Sequence, residues 1–448
     1  MKHNFRKSVS FLLIGLVWMT AIIGSATTAQ AAEAVDIGAD SAILIDADSG
    51  KILYAKDADK ALPPASMTKM MTEYLVWEAV ESGDISWEDT TEISDYPYSI
   101  SANPDFSGVG LKQNTEYTVK ELYEAMAINS DNATTIALAE LIAGSEADFV
   151  KMMNEKAEEM ELPDYKFVNS TGLANSSLGD NYPEGTEPDD NNLMSSRSSA
   201  LLAYHLINDY PEALDIAGIA ETDFEDQEIR NWNWMLDHDA SFLKEYYYEG
   251  VDGLKTGHTD LAGYTFTGTA EKDGTRLISV VMQSEDEGSR FKETAKLLDY
   301  GFSKFDTEEI FPEGYQLDDE KTMPVAKGKD KSVSISTADS YSAPVQKDDA
   351  DNYHIEYTFD KDVLNDDGKL TAPVEKGDKV GVAKVTYDGD DDFGYITDTE
   401  DEQADQTIDI VADDDVEKNN WFMLILGAIG SFFSNLFHSI VDMVKGWF

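Results

Sequence analysis

"PPASMTKMMT", residues 63–72, places two prolines ahead of a serine, and a lysine three positions after that serine, at the front of an apolar segment. Pro63 and Pro64 stop any earlier helix, and the stretch MTKMMTEYLVWEAV that follows carries apolar residues at helical spacing. The pattern predicts a helix from near Ser66 to about Val80, with the serine in its first turn. Residues three apart share one face of a helix, so the Lys69 amine can approach the Ser66 hydroxyl. The plain alternative is a helix cap followed by a solvated lysine. Desolvation among Met67, Met70 and Met71, with a second cation nearby, would instead lower the proton affinity of the amine and make it a base for the hydroxyl.

Two further stretches bear on that choice. Asn129-Ser130-Asp131-Asn132 interrupts an otherwise helical segment from Thr118 to Leu141, and such residues favour caps and turns over helix interiors. Ser130 offers a hydroxyl that can pass a proton, and Asn132 an amide that donates and accepts at once. Lys255-Thr256-Gly257, followed by His258, ends an apolar strand pattern. A fixed cation beside a hydroxyl makes a seat for a carboxylate, and the glycine lets a ligand lie against the strand.

Around these stretches, AILIDADSGKILYA (42–55) reads as a hairpin turning at Gly50, and the segment 249–284 as strands with a turn at Lys272-Asp273-Gly274. SRFKETAKLLDYGFS (289–303) returns to helical spacing, and the acidic, turn-rich 174–192 reads as a long surface loop. Strands at both ends with helices between predict an α/β (α+β) domain: an antiparallel sheet gathering distant segments, flanked by helices. After about residue 312, short alternating segments such as HIEYTFD and KVGVAKVTYDG predict a small β-rich domain.

The first 31 residues have a charged start, a short apolar run and a closing Ala29-Gln30-Ala31, the order of a cleaved secretory signal. In the segment 421–448, Ser431, Ser434, Asn435, His438, Asp442 and Lys445 form one polar stripe on an otherwise apolar helix, which predicts attachment to a membrane surface; a true span over 421–440 and a helix packed on the protein are the other two readings. The expected divisions are 1–31 signal, 32–311 catalytic domain, 312–415 β-rich domain and 416–448 amphipathic anchor.

The chain holds 88 Asp and Glu against 34 Lys and Arg, a formal net charge of -54, and no cysteine. Nucleic acid is excluded as a partner, because binding phosphates needs clustered basic charge. Disulfides and a thiol nucleophile are equally excluded. A surface this acidic repels itself unless salt screens it, which predicts a saline or alkaline exterior as its working place. Asp388, Asp390 and Asp392 suggest a calcium loop, but the glycine and the glutamate at the twelfth place are missing and the histidines lack zinc spacing, so neither a metal nor a cofactor is expected.

The order and separation of S-x-x-K, S-D-N and K-T-G resemble the signature of serine penicillin-recognising enzymes. Within that group the chain resembles low-molecular-mass penicillin-binding proteins, the serine D-alanyl-D-alanine carboxypeptidases, over nearly all of its mature length. "NSDNATTIALAE", "KFVNSTGLANSSLGDNYPEG" and "GLKTGHTDLAGYTFTGTA" carry the likeness beside the opening stretch. The resemblance implies that Ser66 is acylated by the penultimate D-alanine of a peptidoglycan pentapeptide, or by a β-lactam. Lys69 is then the base and Ser130 the proton relay, with Asn132 holding the peptide amide. Lys255 and Thr256 bind the terminal carboxylate beside Gly257, and the backbone N–H groups of Ser66 and His258 form the oxyanion hole. Arg290 assists from the helix after the last strand. Many relatives carry Gly or Ala where this chain has Asp131, which is expected to point away from substrate. The stretch FVNSTGL lacks the E-x-x-L-N pattern that supplies a deacylating glutamate to class A β-lactamases. The rival expectations are a β-lactamase and a non-catalytic wall-binding protein of the same fold.

Overall fold

The computed structural model describes residues 35–346, 349–389, 393–397 and 407–420. The expected signal sequence and the amphipathic segment 421–448 lie outside these residues, as do Asp390 and Asp392. No helix among the described residues is long and apolar enough to cross a membrane.

The chain opens with the expected hairpin, β1 (Ala39–Asp46) and β2 (Ile52–Lys56), whose turn places Gly50 at φ +69°. A 3₁₀ turn (Ala65–Thr68) runs into α1 (Lys69–Glu81), and α2 (Asp95–Ser101) follows between the short strands β3 (Thr90–Glu92) and β4 (Glu116–Thr118). Next come α3 (Val119–Asn129), α4 (Asn132–Ala143) and α5 (Glu146–Glu159). Beyond the two-residue strands β5 (Tyr165–Lys166) and β6 (Leu193–Met194) lie α6 (Ser196–Asp209), α7 (Ala213–Ala217) and the ribbon β7 (Glu221–Phe224) with β8 (Gln227–Arg230). Three long strands, β9 (Val251–Thr259), β10 (Gly263–Lys272) and β11 (Thr275–Ser284), lead to α8 (Glu287–Lys304).

The five-stranded antiparallel sheet has the order β2-β1-β11-β10-β9, so the first strand of the chain pairs with the last long one. Ala39 faces Ser284 and Asp46 faces Leu277. Ile43, Ile45, Ile278, Val280 and Met282 from this sheet pack with Met67, Met70 and Met71 in one buried cluster. A second cluster lies within the helical lobe, where Leu122, Met126, Ile136 and Leu138 are fully buried. The apolar stripes of α3 and α4 thus close on each other, and the polar loop joining them is carried to the junction of lobe and sheet. Loop 174–192 is tied down at its ends: Asn175 Nδ2 donates to Thr186 Oγ1 at 2.8 Å and to the Glu187 carbonyl at 2.9 Å.

The β-rich part follows as β12 (Phe305–Phe311), β13 (Thr322–Ala326), β14 (Ser332–Thr337), β15 (Tyr341–Gln346), β16 (Tyr353–Phe359), β17 (Leu370–Thr371), β18 (Lys379–Tyr387) and β19 (Thr407–Ala412). Six of these strands form one sheet, β16-β18-β19-β14-β13-β17, around a core that includes Ile335, Ala383 and Ile410. β12 pairs with β15, so the first strand of this part precedes residue 312, where the alternating pattern in the sequence begins. The turn after β1 is stitched to it: Ile52 N donates to the Gly394 carbonyl at 2.9 Å, and the Lys51 ammonium lies 4.0 Å from the ring centre of Tyr387 and 4.6 Å from that of Tyr353.

Candidate active site

Ser66 lies in the 3₁₀ turn and not in the α-helix, which begins only at Lys69. The sequence pattern started the helix too early because residues 65–68 close as a 3₁₀ turn, with Lys69 N donating to the Ser66 carbonyl, before the α-helical ladder takes over. The Ser66 side chain caps nothing. Instead Lys69 Nζ donates to Ser66 Oγ at 2.9 Å and to Asn132 Oδ1 at 2.8 Å, and Ser130 Oγ is 3.5 Å away. Lys69 is fully buried, which contradicts the solvated-lysine alternative. Burial, reinforced by repulsion from Lys255, holds its amine well below the usual lysine range, although Asp131 and Glu73 pull the other way. A neutral amine hydrogen-bonded to a hydroxyl is a general base in place.

Ser130 ends α3 in the left-handed conformation, φ 61° and ψ 32°, so its hydroxyl leaves the helix axis and points toward Lys69. Asp131 begins the next helix: Oδ1 accepts from Thr134 N at 2.7 Å, and Oδ2 accepts from Val109 N at 2.5 Å. It is fully buried, so this side chain braces the loop and holds the segment 107–109. Asn132 is engaged at both ends, accepting from Lys69 and donating through Nδ2 to the Ser107 carbonyl at 3.1 Å. Its second amide hydrogen remains for a ligand.

Strand β9 presents the third group. Gly257 packs against the serine turn so closely that a Cβ would lie 2.5 Å from the Pro64 carbonyl oxygen and 2.5 Å from Thr265 Oγ1. The absent side chain is what brings the Ser66 and His258 backbones to the same edge. The His258 ring itself is exposed and stacks on Tyr264 at 4.3 Å. Lys255 is 2% exposed, and its amine reaches the Thr256 carbonyl at 3.4 Å. Burial pulls Lys255 down to about 8, with Glu73 opposing and Arg290 adding to the fall. Arg290, from the first turn of α8, is also buried, donates to the Gly257 carbonyl at 3.1 Å and lies 3.5 Å from Glu287. Its Nε has no hydrogen-bond partner among the described residues.

These groups open on a cleft of about 180 Å³ whose lining includes Ser66, Ser130, Asn132, Thr256, Gly257, His258 and Arg290. Lys69 and Lys255 lie beneath that lining. All nine sequence-predicted site residues are thereby gathered at one place. The lining also takes Asp105, Phe106, Ser107, Leu173 and Trp232, which no sequence pattern singled out because they come from irregular segments, and Glu287, the first residue of α8. Glu73 was missed as well: four residues after Lys69, it is buried on the same helix at 2% exposure. A charged residue one turn from the lysine, inside an apolar run, was the available signal.

A family profile described as D-alanyl-D-alanine carboxypeptidase matches residues 26–286, and one described as the C-terminal domain of penicillin-binding protein 5 matches residues 305–418. The D-alanyl-D-alanine carboxypeptidase DacF of Bacillus subtilis (strain 168) is 31% identical over 387 residues, 86% of this chain and 91% of the relative. DacC of Escherichia coli (strain K12) is 32% identical over 364 residues, 80% of this chain and 83% of the relative. A crystal structure of a peptidoglycan synthesis regulatory factor (PBP3) from Streptococcus pneumoniae superposes with a TM-score of 0.70 at 36% identity, covering 85% of this chain and all of that one. Penicillin-binding protein D2 of Listeria monocytogenes, solved in an ampicillin-bound form, is similar at a TM-score of 0.50 and 31% identity, over 60% of this chain and 98% of that one. The chain belongs to the D-alanyl-D-alanine carboxypeptidase family of serine peptidases, peptidase S11.

Proposed function

We propose that this chain releases the terminal D-alanine of peptidoglycan stem peptides through an acyl-enzyme on Ser66, and that penicillins acylate the same oxygen. The observation that carries the assignment is the fully buried Lys69 amine, 2.9 Å from Ser66 Oγ. Lys69, neutral, takes the hydroxyl proton as Oγ attacks the carbonyl of the penultimate D-alanine. The backbone N–H groups of Ser66 and His258 receive the oxyanion, each donor being worth about 3 kcal/mol. The proton passes through Ser130 Oγ to the departing amine, the C–N bond breaks and D-alanine leaves. Water activated by Lys69 then cleaves the ester and restores the serine. Lys255, Thr256 and Arg290 hold the terminal carboxylate, and Asn132 holds the peptide amide through its spare N–H.

The family acts on the cell wall, which fits an extracytoplasmic site of action. We infer that residues 1–31 direct export and that the polar-striped segment 421–448 attaches the enzyme to the membrane surface; removing 419–448 should yield a soluble, active protein. Mass spectrometry after brief penicillin exposure tests the chemistry. A long-lived adduct on Ser66, absent in Ser66→Ala together with D-alanine release from a pentapeptide, is the expected result. Rapid loss of the adduct would indicate a β-lactamase instead, and a wild type that releases no D-alanine would overturn the reading.

A further inference from the structure

Behind the cleft, Glu73 is an ionisable group that the mechanism above leaves without a part. It lies on α1 one turn after Lys69 and is 2% exposed. Its Oε2 accepts from the Tyr123 hydroxyl on α3 at 3.4 Å, and that hydroxyl accepts from Trp77 Nε1 at 2.7 Å. Its Oε1 is buried and has no hydrogen-bond partner among the described residues. A carboxylate placed this way within an apolar helix lobe costs stability unless a cation shares its surroundings. The cations that act on it are Lys255 from β9 and Lys69 from its own helix. Asp131, from the loop between α3 and α4, acts on Lys69, and Arg290 from α8 acts on Lys255.

We propose that Glu73 is a positioning residue for the reaction: a buried carboxylate that fixes the proton shared by the two active-site lysines on Lys255, leaving Lys69 as the free base. The chemistry requires one neutral and one charged lysine, because Lys69 must accept the serine proton while Lys255 must stay cationic to hold a carboxylate. Two protonated lysines in one buried pocket repel each other, and two neutral ones leave no seat for the substrate. One negative charge set behind both favours a single proton between them. The choice of lysine follows from the roles the reaction gives the two amines: Lys69, 2.9 Å from Ser66 Oγ, takes up the serine proton, and Lys255, buried on β9 beneath the carboxylate seat, keeps its own. Burial itself pushes Glu73 up, to about 7, with Lys255, Tyr123 and Lys69 holding it down.

The inference rests on the roles proposed above for Lys69 and Lys255, and the test separates the two. The pH dependence of kcat/KM for D-alanine release is compared between wild type and the isosteric Glu73→Gln. Without the carboxylate, Lys255 gives up its proton earlier, so the alkaline limb should move to lower pH by about one unit, with KM rising on that limb before kcat falls. Tyr123→Phe, which removes the hydroxyl holding Glu73 in its ionised form, should move it in the same direction by less. A purely structural glutamate would lower activity evenly at every pH. Superimposable alkaline limbs in Glu73→Gln and wild type would overturn the proposal while Ser66→Ala remains inactive. If Glu73→Gln fails to fold, Tyr123→Phe decides on the same criterion. If Ser66→Ala or Lys69→Met keeps full activity, the reading of the site fails and this inference falls with it.

Discussion

Gly172 lies directly beneath Ala65: a Cβ on it would fall 1.8 Å from the Ala65 carbonyl oxygen and 2.9 Å from Thr68 Oγ1. Its φ of +85° already belongs to the left-handed region that side chains resist. The turn that carries the nucleophile therefore rests on a residue without a side chain, far away in sequence. Gly172→Ala should displace the Ser66 turn and lower kcat/KM by about 100-fold, the cost expected for a misplacement of about 1 Å. Steady-state rates and the acylation rate with a penicillin should fall together; unchanged rates would show that the turn yields without moving Ser66.

Lys69→Arg keeps a cation at the site and removes the base. A guanidinium does not deprotonate in this pH range. Acylation should drop by about 100-fold or more, the usual scale of general-base catalysis, and raising the pH should restore none of it.

The wild-type pH profile should be bell-shaped. Lys69 acts as the unprotonated amine, so activity rises with pH through its depressed value. Lys255 acts as the cation, so activity falls as pH passes about 8, where it loses its proton. Measured kcat/KM for a pentapeptide that stays flat above that point would refute the carboxylate seat.

Asp131 joins two loops by two backbone hydrogen bonds, to Thr134 and to Val109. Replacement by Ala removes a helix cap and strands a buried N–H, and should cost about 2 kcal/mol of stability. Because Asn132 and Ser107 ride on the same brace, KM should rise as well. Denaturant unfolding and peptide kinetics on the one variant check both.

A formal charge of -54 sets up self-repulsion that only counterions relieve. Melting temperature should climb between low salt and about 1 M, where the screening length shrinks to about 3 Å. A melting point indifferent to salt would remove the case for a saline habitat.

Much of this molecule is legible in its sequence where local chemistry and global fold agree. The β1–β2 turn at Gly50, the Asp273-Gly274 turn between β10 and β11, and the break at Ser130 are each dictated by residues that favour turns and caps, and each appears as expected. The spacing of Ser66 and Lys69 survives even though the helix begins three residues later, because a 3₁₀ turn also sets positions three apart side by side. Glu73 gave only a weak signal: a single glutamate among MMTEYLVW also fits a helix with one wet position, and the packing of α3 against that helix, with Tyr123 on Glu73, shows it to be dry. Asp105 and Trp232 were unreadable for a different reason, since no period connects loop residues that meet only after the lobe has folded.

The pairing of β1 with β11 has a consequence for how the enzyme comes into being. Ser66 is made early, yet it stays an ordinary serine until β9, β10 and β11 have docked against the hairpin, because Lys255 and the edge that carries His258 arrive with them. Contacts between segments so far apart in sequence form slowly. A growing or prematurely ended chain should thus be blind to penicillin, and the capacity to react with it should appear in one step, late in synthesis, when the last long strand closes the sheet.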